Sequence, residues 1–174
     1  LVSGGGDGWI GVWEWPSFKL KKKIPILNAL REGLEEMSTR LNRPMTEVDN
    51  IGVSGIWIVP MKVGELVKTG KQVVEPAVIV ACEGIPAILV CPAADLQTES
   101  ATFQPITPFD APFLDITFSD EIGIASFDDR QTPQKRIMSF RLERDLESET
   151  SEVIFFADDE LAKPLERLNA VAAD

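Results

Sequence analysis

The sequence predicts an all-β fold built from consecutive small antiparallel sheets, with one helix inserted between them. Three observations support this prediction. Short segments alternate apolar and polar residues with a period of two, turn-forming residues separate them, and a single segment has helical spacing. Sets of four short strands per ~40–50 residues are typical of propeller blades, although β-sandwiches share the short strands. The chain has 174 residues and is 44% hydrophobic, which is enough for a packed core.

The first 25 residues predict three strands joined by turns. A strand ends at Ser3, and the run GGGDG at residues 4–8 supplies turn residues. Residues 9–15 alternate with a period of two, and residues 18–26 predict a further, more exposed strand. We interpret residues 1–25 as the end of one blade.

Residues 26–49 predict an inserted helical loop. Spacings of three and four separate a series of apolar residues, namely Leu27, Leu30, Leu34, Met37 and Leu41. This pattern predicts a helix over residues 26–42, and Pro44 follows its end. Such an apolar stripe can dock a partner, but it more often packs on its own domain, so self-packing is the favoured interpretation.

From residue 50 onward the period of two returns and predicts two sets of four strands. Residues 50–112 form the next blade, with strands over 53–59, 77–82, 87–91 and 102–106. Residues 113–156 form the last blade, with strands over 113–118, 122–127, 136–142 and 153–156. Together with the first 25 residues, this makes about two and a half blades.

Residues 157–174 predict an acidic C-terminal tail. Its apolar spacing predicts a short helix, carried by Leu161, Leu165, Leu168 and Val171. The negative charge suits either contact with a basic partner or a solvated terminus, and the second interpretation is favoured.

Composition excludes several classes of enzyme and binding site. With 17 basic and 28 acidic residues the net charge is −11, and such a chain is a poor stand-alone ligand for nucleic-acid phosphates. The absence of histidine removes Ser-His-Asp and Cys-His catalytic groups and every His-ligated metal site. Two cysteines, Cys82 and Cys91, are too few for a cysteine-only zinc site. The sequence therefore predicts no catalytic residue, no metal and no cofactor.

The two cysteines also fail to predict a disulfide. A tight turn at residues 84–86 places Cys91 opposite Val78 rather than opposite Cys82. The chain opens on Leu1 in mid-pattern, which suggests a fragment, and it carries no apparent signal peptide and no apolar run of ~20 residues. We therefore expect a soluble protein in a reducing compartment, with no membrane contact.

The glycine-rich run at residues 4–8 is similar to a phosphate-binding loop. Such a loop needs a helix after it, so that the anion meets the helix N-terminus. Residues 9–15 predict a strand instead, with three tryptophans and no helical period. We therefore reject nucleotide and S-adenosylmethionine binding at this loop.

The segment LVSGGGDGWIGVWEW resembles a WD repeat. In that family a Ser or Thr, an Asp in the following turn and a Trp on the next strand form a hydrogen-bond network with a His from the preceding loop. Ser3, Asp7 and Trp13 match three of these four residues. The resemblance implies a structural network in which a buried Asp7 carboxylate accepts hydrogen bonds from the Ser3 hydroxyl and the Trp13 indole.

Among WD-repeat proteins, this segment resembles the late blade of the non-catalytic subunit of the tRNA (guanine-N7-)-methyltransferase, in its fungal form. The likeness continues through the inserted loop, an A-V-S-like strand at residues 51–56, an apolar hairpin at 76–83 and 87–90, and the start of the last blade at 113–118. The resemblance implies that the chain is the C-terminal third or so of that subunit.

What the resemblance implies is a scaffold rather than an enzyme. In that family a separate Rossmann-type subunit binds S-adenosylmethionine and forms N7-methylguanosine in tRNA, and the propeller binds and stabilises that subunit in a heterodimer. The tRNA is then an indirect partner, and a nuclear location is implied. The alternative function is a generic WD-repeat module for protein–protein interaction in another complex.

A basic cluster on the predicted third strand stands out from the acidic chain. It consists of Lys19, Lys21, Lys22 and Lys23. These lysines are candidate phosphate contacts to tRNA. Alternatively, their charge discourages edge-to-edge pairing of an outer strand, and this second interpretation is favoured.

Overall fold

A computed structural model of the chain describes residues 1–42, 51–66, 71–82, 85–107, 113–120, 122–127, 137–144 and 151–155. Within these ranges the strands are β1 (Val2–Gly4), β2 (Trp9–Glu14), β3 (Lys19–Pro25), β4 (Val53–Leu66), β5 (Lys71–Cys82), β6 (Ile88–Pro92), β7 (Gln104–Ile106), β8 (Phe113–Ser119), β9 (Ile122–Phe127), β10 (Ile137–Arg144) and β11 (Ser151–Phe155). The helix α1 (Leu27–Leu41) follows β3, and a 3₁₀ turn (Asp95–Gln97) follows β6. The predicted tail and helix at residues 157–174 lie outside the described residues.

The first sheet consists of β1, β2 and β3 in antiparallel order. The sheet has one covered face, because Ile10, Val12 and Ile24 are buried. A bulge between Val12 and Trp13 shifts the pairing of β2 with β3. The three strands predicted for the first 25 residues are confirmed.

The helix α1 packs against its own domain. Leu30 and Leu34 are buried in the same core as the covered face of the first sheet, and Leu27 and Met37 are partly buried beside them. The helix ends at Asn42, which has a left-handed backbone conformation and donates its N–H to Thr39. Both the helix and its self-packing, as predicted, are confirmed.

The second sheet is a meander of four antiparallel strands, β4 to β7. The predicted end of its first strand at residue 59 is wrong, because β4 continues to Leu66. Pro60 lies opposite Pro76 in the register, and a bulge between Lys62 and Gly64 shifts the pairing of β4 with β5. Alternate burial of Val59, Met61 and Val63 stabilises this extension.

The third set of strands, β8 to β11, also pairs antiparallel in chain order. The end of β10 additionally pairs in parallel with β4, with Glu143 opposite Lys62. This junction joins the second and third sets into one extended sheet. Lys62 Nζ lies 3.7 Å from Glu143 Oε1, which also accepts a 2.7 Å hydrogen bond from Arg141 Nε.

Two hydrophobic cores lie on opposite faces of β5 and β6. Val78, Val80 and Cys82 of β5 belong to the first core, with α1 and the first sheet. Ala77, Ile79 and Ala81 belong to the second core, which includes Ile116, Phe140 and Leu142 of the third set. Consecutive antiparallel sheets that share cores in chain order are the arrangement of propeller blades.

The all-β class, the partial propeller and the inserted helix are therefore confirmed. The blade boundaries predicted at residues 50, 112 and 157 lie outside the described residues and stay predictions.

Candidate functional site

A hydrogen bond between Trp13 and Ser3 links the first two strands. The indole Nε1–H of Trp13 donates to Ser3 Oγ over 2.8 Å. Ser3 lies opposite Gly11 in the register, and a Cβ on Gly11 would approach Trp13 Nε1 to 2.9 Å. A glycine at position 11 therefore leaves the space that the indole occupies. The structure thus brings Ser3 and Trp13 together, but the indole donates to the Ser3 hydroxyl and not to the Asp7 carboxylate that was expected to accept it.

The expected burial of Asp7 is wrong. Its side chain is 61% exposed, and its Oδ2 lies 3.9 Å from Lys23 Nζ. The physical reason is the composition of the turn, because a Cβ added at Gly6 or Gly8 would meet no atom within 4 Å. The neighbouring glycines have no side chains to cover the carboxylate, and the single N–H of the Trp13 indole is given to Ser3 instead.

The four lysines of β3 have different surroundings. Lys21 lies 4.0 Å from Glu14, and Lys23 pairs with Asp7; the side chains of both pairs are about half exposed. Exposed ion pairs of this kind stabilise a protein by about 0–1 kcal/mol, so a competing anion can displace the carboxylates. Lys19 is also exposed, and no carboxylate among the described residues forms a salt bridge with it.

Lys22 links the first sheet to the loop that follows β6. Its Nζ donates to the backbone oxygens of Thr98, at 2.5 Å, and Glu99, at 3.1 Å. A surface cavity of about 360 Å³ adjoins this contact, lined by Val12, Lys21, Lys22, Leu96, Gln97, Thr98 and Glu99. A phosphate could therefore bind Lys22 only if these two hydrogen bonds to the backbone were broken.

The turn between β2 and β3 presents two aromatic side chains to solvent. Trp15 is 69% exposed and Phe18 is 57% exposed, and their rings meet edge to face with centroids 5.0 Å apart. Glu14 fixes the turn, because its Oε2 accepts a 2.9 Å bond from Ser17 Oγ and its backbone oxygen accepts a 2.8 Å bond from the Phe18 N–H. The period of two in the sequence had placed Trp15 on a strand. The turn-forming pair Pro16-Ser17 that follows was the sequence signal for its exposure.

The two cysteines are buried free thiols. Cys91 lies opposite Val78, as the tight turn predicted. Burial raises the pKa of Cys82 to about 12. Burial, with a smaller contribution from Asp95, raises the pKa of Cys91 to about 11, against opposing effects of Lys22 and Arg144. Both thiols are therefore protonated and unreactive at neutral pH.

The glycine-rich loop does not form an anion site of the phosphate-loop kind. It leads into the strand β2 rather than into a helix, as predicted. In the described part of the chain, no three Cys, Asp or Glu side chains are grouped so that they could hold a metal ion. Among the same residues, no helix has the length and apolar character needed to cross a membrane.

Residues 1–152 match the family described as the tRNA methyltransferase TRM82 WD40 domain. Two curated relatives, both named tRNA (guanine-N(7)-)-methyltransferase non-catalytic subunit TRM82, are similar to this chain. The protein from Phaeosphaeria nodorum is 34% identical over 92 residues, which are 51% of this chain and 16% of that protein. The protein from Coccidioides immitis is 35% identical over 60 residues, which are 34% of this chain and 11% of that protein. The matched segments thus span a small part of each relative. Because the family match extends over most of the chain, the chain belongs to the TRM82 WD40 domain family.

Proposed function

We propose that the protein is a non-catalytic scaffold subunit, which binds and stabilises the catalytic subunit that forms N7-methylguanosine in tRNA. The observation that carries this proposal is the family match over residues 1–152, together with relatives named as non-catalytic subunits of a tRNA methyltransferase. The partial propeller supports it, since a propeller presents partner-binding surfaces on a fixed framework.

The proposed partner is a Rossmann-type subunit that binds S-adenosylmethionine, and tRNA reaches this protein through the resulting heterodimer. A scaffold of this kind changes the relative populations of the active and inactive conformers of its partner. If it binds the active conformer more tightly than the inactive one, it shifts the equilibrium by that difference in affinity. None of the residues described above is assigned a role in methyl transfer.

The test measures methyl transfer to tRNA by the catalytic subunit with and without the full-length scaffold subunit. An unrelated WD-repeat protein at the same concentration is the control. We expect co-purification of the two subunits and higher activity or abundance of the catalytic subunit. Unchanged activity and abundance would contradict the proposal and leave a generic WD-repeat interaction module.

A nuclear location is a further part of the proposal, and its basis is the resemblance to the tRNA methyltransferase subunit. Fluorescence microscopy of the tagged full-length subunit in fungal cells tests it directly. A cytoplasmic signal that excludes the nucleus would contradict this part without affecting the scaffold role.

A further inference from the structure

The turn between β2 and β3 combines exposed aromatic rings with positive charge. We define the turn surface as Trp15, Phe18, Lys19 and Lys21. Residues 1–25 contain four lysines against only Asp7 and Glu14, which is a local charge of 4 − 2 = +2 in a chain of −11. The exposed aromatic pair of the turn directly precedes this basic strand.

We propose that the turn surface binds an unpaired nucleotide of RNA. A base stacks on the Trp15–Phe18 pair, and the ammonium groups of Lys19 and Lys21 contact the flanking phosphates. Aromatic platforms beside basic strands bind single-stranded RNA in this way, because every base has a π-face and every linkage carries a negative charge. The inference rests on the proposed function, which supplies an RNA substrate.

The state of the lysines agrees with this role. Lys21 is 4.0 Å from Glu14, and both side chains are about half exposed to water. Such a pair costs little to exchange for a phosphate. Lys19 has no carboxylate partner among the described residues. Two lysines of the turn surface are thus accessible to an anion, whereas Lys22 is bound to the carbonyls of Thr98 and Glu99.

The turn that carries the two rings is also fixed by hydrogen bonds before any ligand arrives. Ser17 and the Phe18 N–H both bond to Glu14, and the two rings contact each other edge to face. A fixed turn loses little conformational entropy on binding, which favours a small ligand such as one base.

A nucleotide fits the size of this surface better than a protein partner does. Apart from Pro16 and Leu20, of which Leu20 is 38% exposed, the chain neighbours of the two rings are polar or charged, namely Glu14, Ser17 and Lys19. Stable protein–protein interfaces bury about 800 Å² on each partner around an apolar centre. Two ring surfaces bordered by charge are small for that purpose and suitable for stacking one base.

The first test uses the full-length subunit assembled with its catalytic partner and measures steady-state methylation of tRNA. We expect Trp15→Leu to raise the KM for tRNA roughly tenfold with unchanged kcat, because stacking is lost while an apolar side chain is kept. Trp15→Phe keeps an aromatic ring and should raise the KM much less. Ile137→Ala, at a 70% exposed apolar residue of β10, is the matched control and should leave the KM unchanged.

The second test measures the salt dependence of binding with fluorescently labelled tRNA. Lys19→Gln should reduce the slope of log affinity against log salt concentration by about 0.7, the value for one phosphate of a single strand. In addition, tRNA that carries 4-thiouridine should crosslink to a peptide from residues 9–25 on irradiation.

The possible outcomes separate the two proposals. An unchanged KM in Trp15→Leu, or a slope unaltered by Lys19→Gln, would overturn RNA binding at the turn. Loss of the catalytic subunit from purified Trp15→Leu complexes, with tRNA affinity intact, would also overturn it and assign the turn to a protein interface. If the wild-type subunits do not co-purify, the proposed function fails. In that case, the affinity of labelled tRNA is measured for the full-length subunit alone, in the wild type and in the same variants. An affinity unchanged by Trp15→Leu would then overturn RNA binding at the turn.

Discussion

One ammonium group, that of Lys22, connects the first sheet with the loop between β6 and β7. Its hydrogen bonds to Thr98 and Glu99 span residues 76 and 77 positions away in sequence. We expect Lys22→Met to lower the free energy of unfolding by about 1 kcal/mol, because two carbonyls lose a charged donor. Urea denaturation of the full-length subunit measures this change.

Lys23→Met is the matched control for Lys22. It removes the same charge from the same strand but breaks only the exposed pair with Asp7. Its effect should stay below about 0.5 kcal/mol. Equal effects of the two substitutions would show that the Lys22 contact contributes nothing to stability.

The buried thiols make stability depend on pH in the alkaline range. In the folded protein the pKa of Cys82 is raised from 9.0 to about 12, so the unfolded chain loses this proton at lower pH than the folded chain. The contribution is fully present below about pH 9 and is lost as the pH rises toward 12. We expect the urea midpoint to fall between pH 9 and pH 11, and Cys82→Ala to reduce that fall.

At the scale of the element, Gly33 sets how closely α1 approaches β7. A Cβ at this position would lie 2.7 Å from Pro105 Cβ and 3.2 Å from Thr107 Cγ2. Helix propensity alone favours Ala over Gly by about 1 kcal/mol. The steric conflict is larger, so Gly33→Ala should destabilise the protein by about 1–3 kcal/mol in thermal or urea unfolding.

Glu32→Ala tests the helix without the steric conflict. Glu32 is exposed on the same turn of α1, and its replacement should change stability by less than about 0.5 kcal/mol. If Gly33→Ala is as stable as Glu32→Ala, the helix is free to move away from β7 and the packing argument is wrong.

The elements that were predictable from sequence are those whose pattern is local. The helix α1 and the strands β6, β8 and β9 follow from spacing alone, because each buries side chains with a fixed period. The extension of β4 depended on pairing with β5 and on burial against the third set of strands, which no local pattern contains.

The features of the candidate site also separate into those encoded by local sequence and those that depend on distant residues. The proximity of Trp13 and Ser3 was predictable because a repeat motif places both residues in one network, although Asp7 and not Ser3 was the expected acceptor of the indole N–H. The exposure of Asp7 was not, because it depends on what covers the turn rather than on the turn itself. The same holds for the Lys22 contact, whose partners come from a distant loop.

At the scale of the whole molecule, the sheets are not independent units. β5 contributes to the first core through one face and to the second core through the other. β4 adds a second connection, since it pairs with β5 and also with β10. A destabilising substitution in β5 should therefore lower the stability of both cores, whereas one in an outer strand should affect mainly the core next to it.

Ile79→Ala tests this coupling. Ile79 is fully buried in the second core, and its truncation should cost about 2–5 kcal/mol. Because β5 supports both cores, we expect hydrogen exchange of the full-length subunit to accelerate by similar factors in peptides of β2–β3 and of β8–β10. Ile137→Ala, at an exposed residue, should change neither. Faster exchange confined to β8–β10 would show that the second core opens without the first, and that each sheet unfolds on its own.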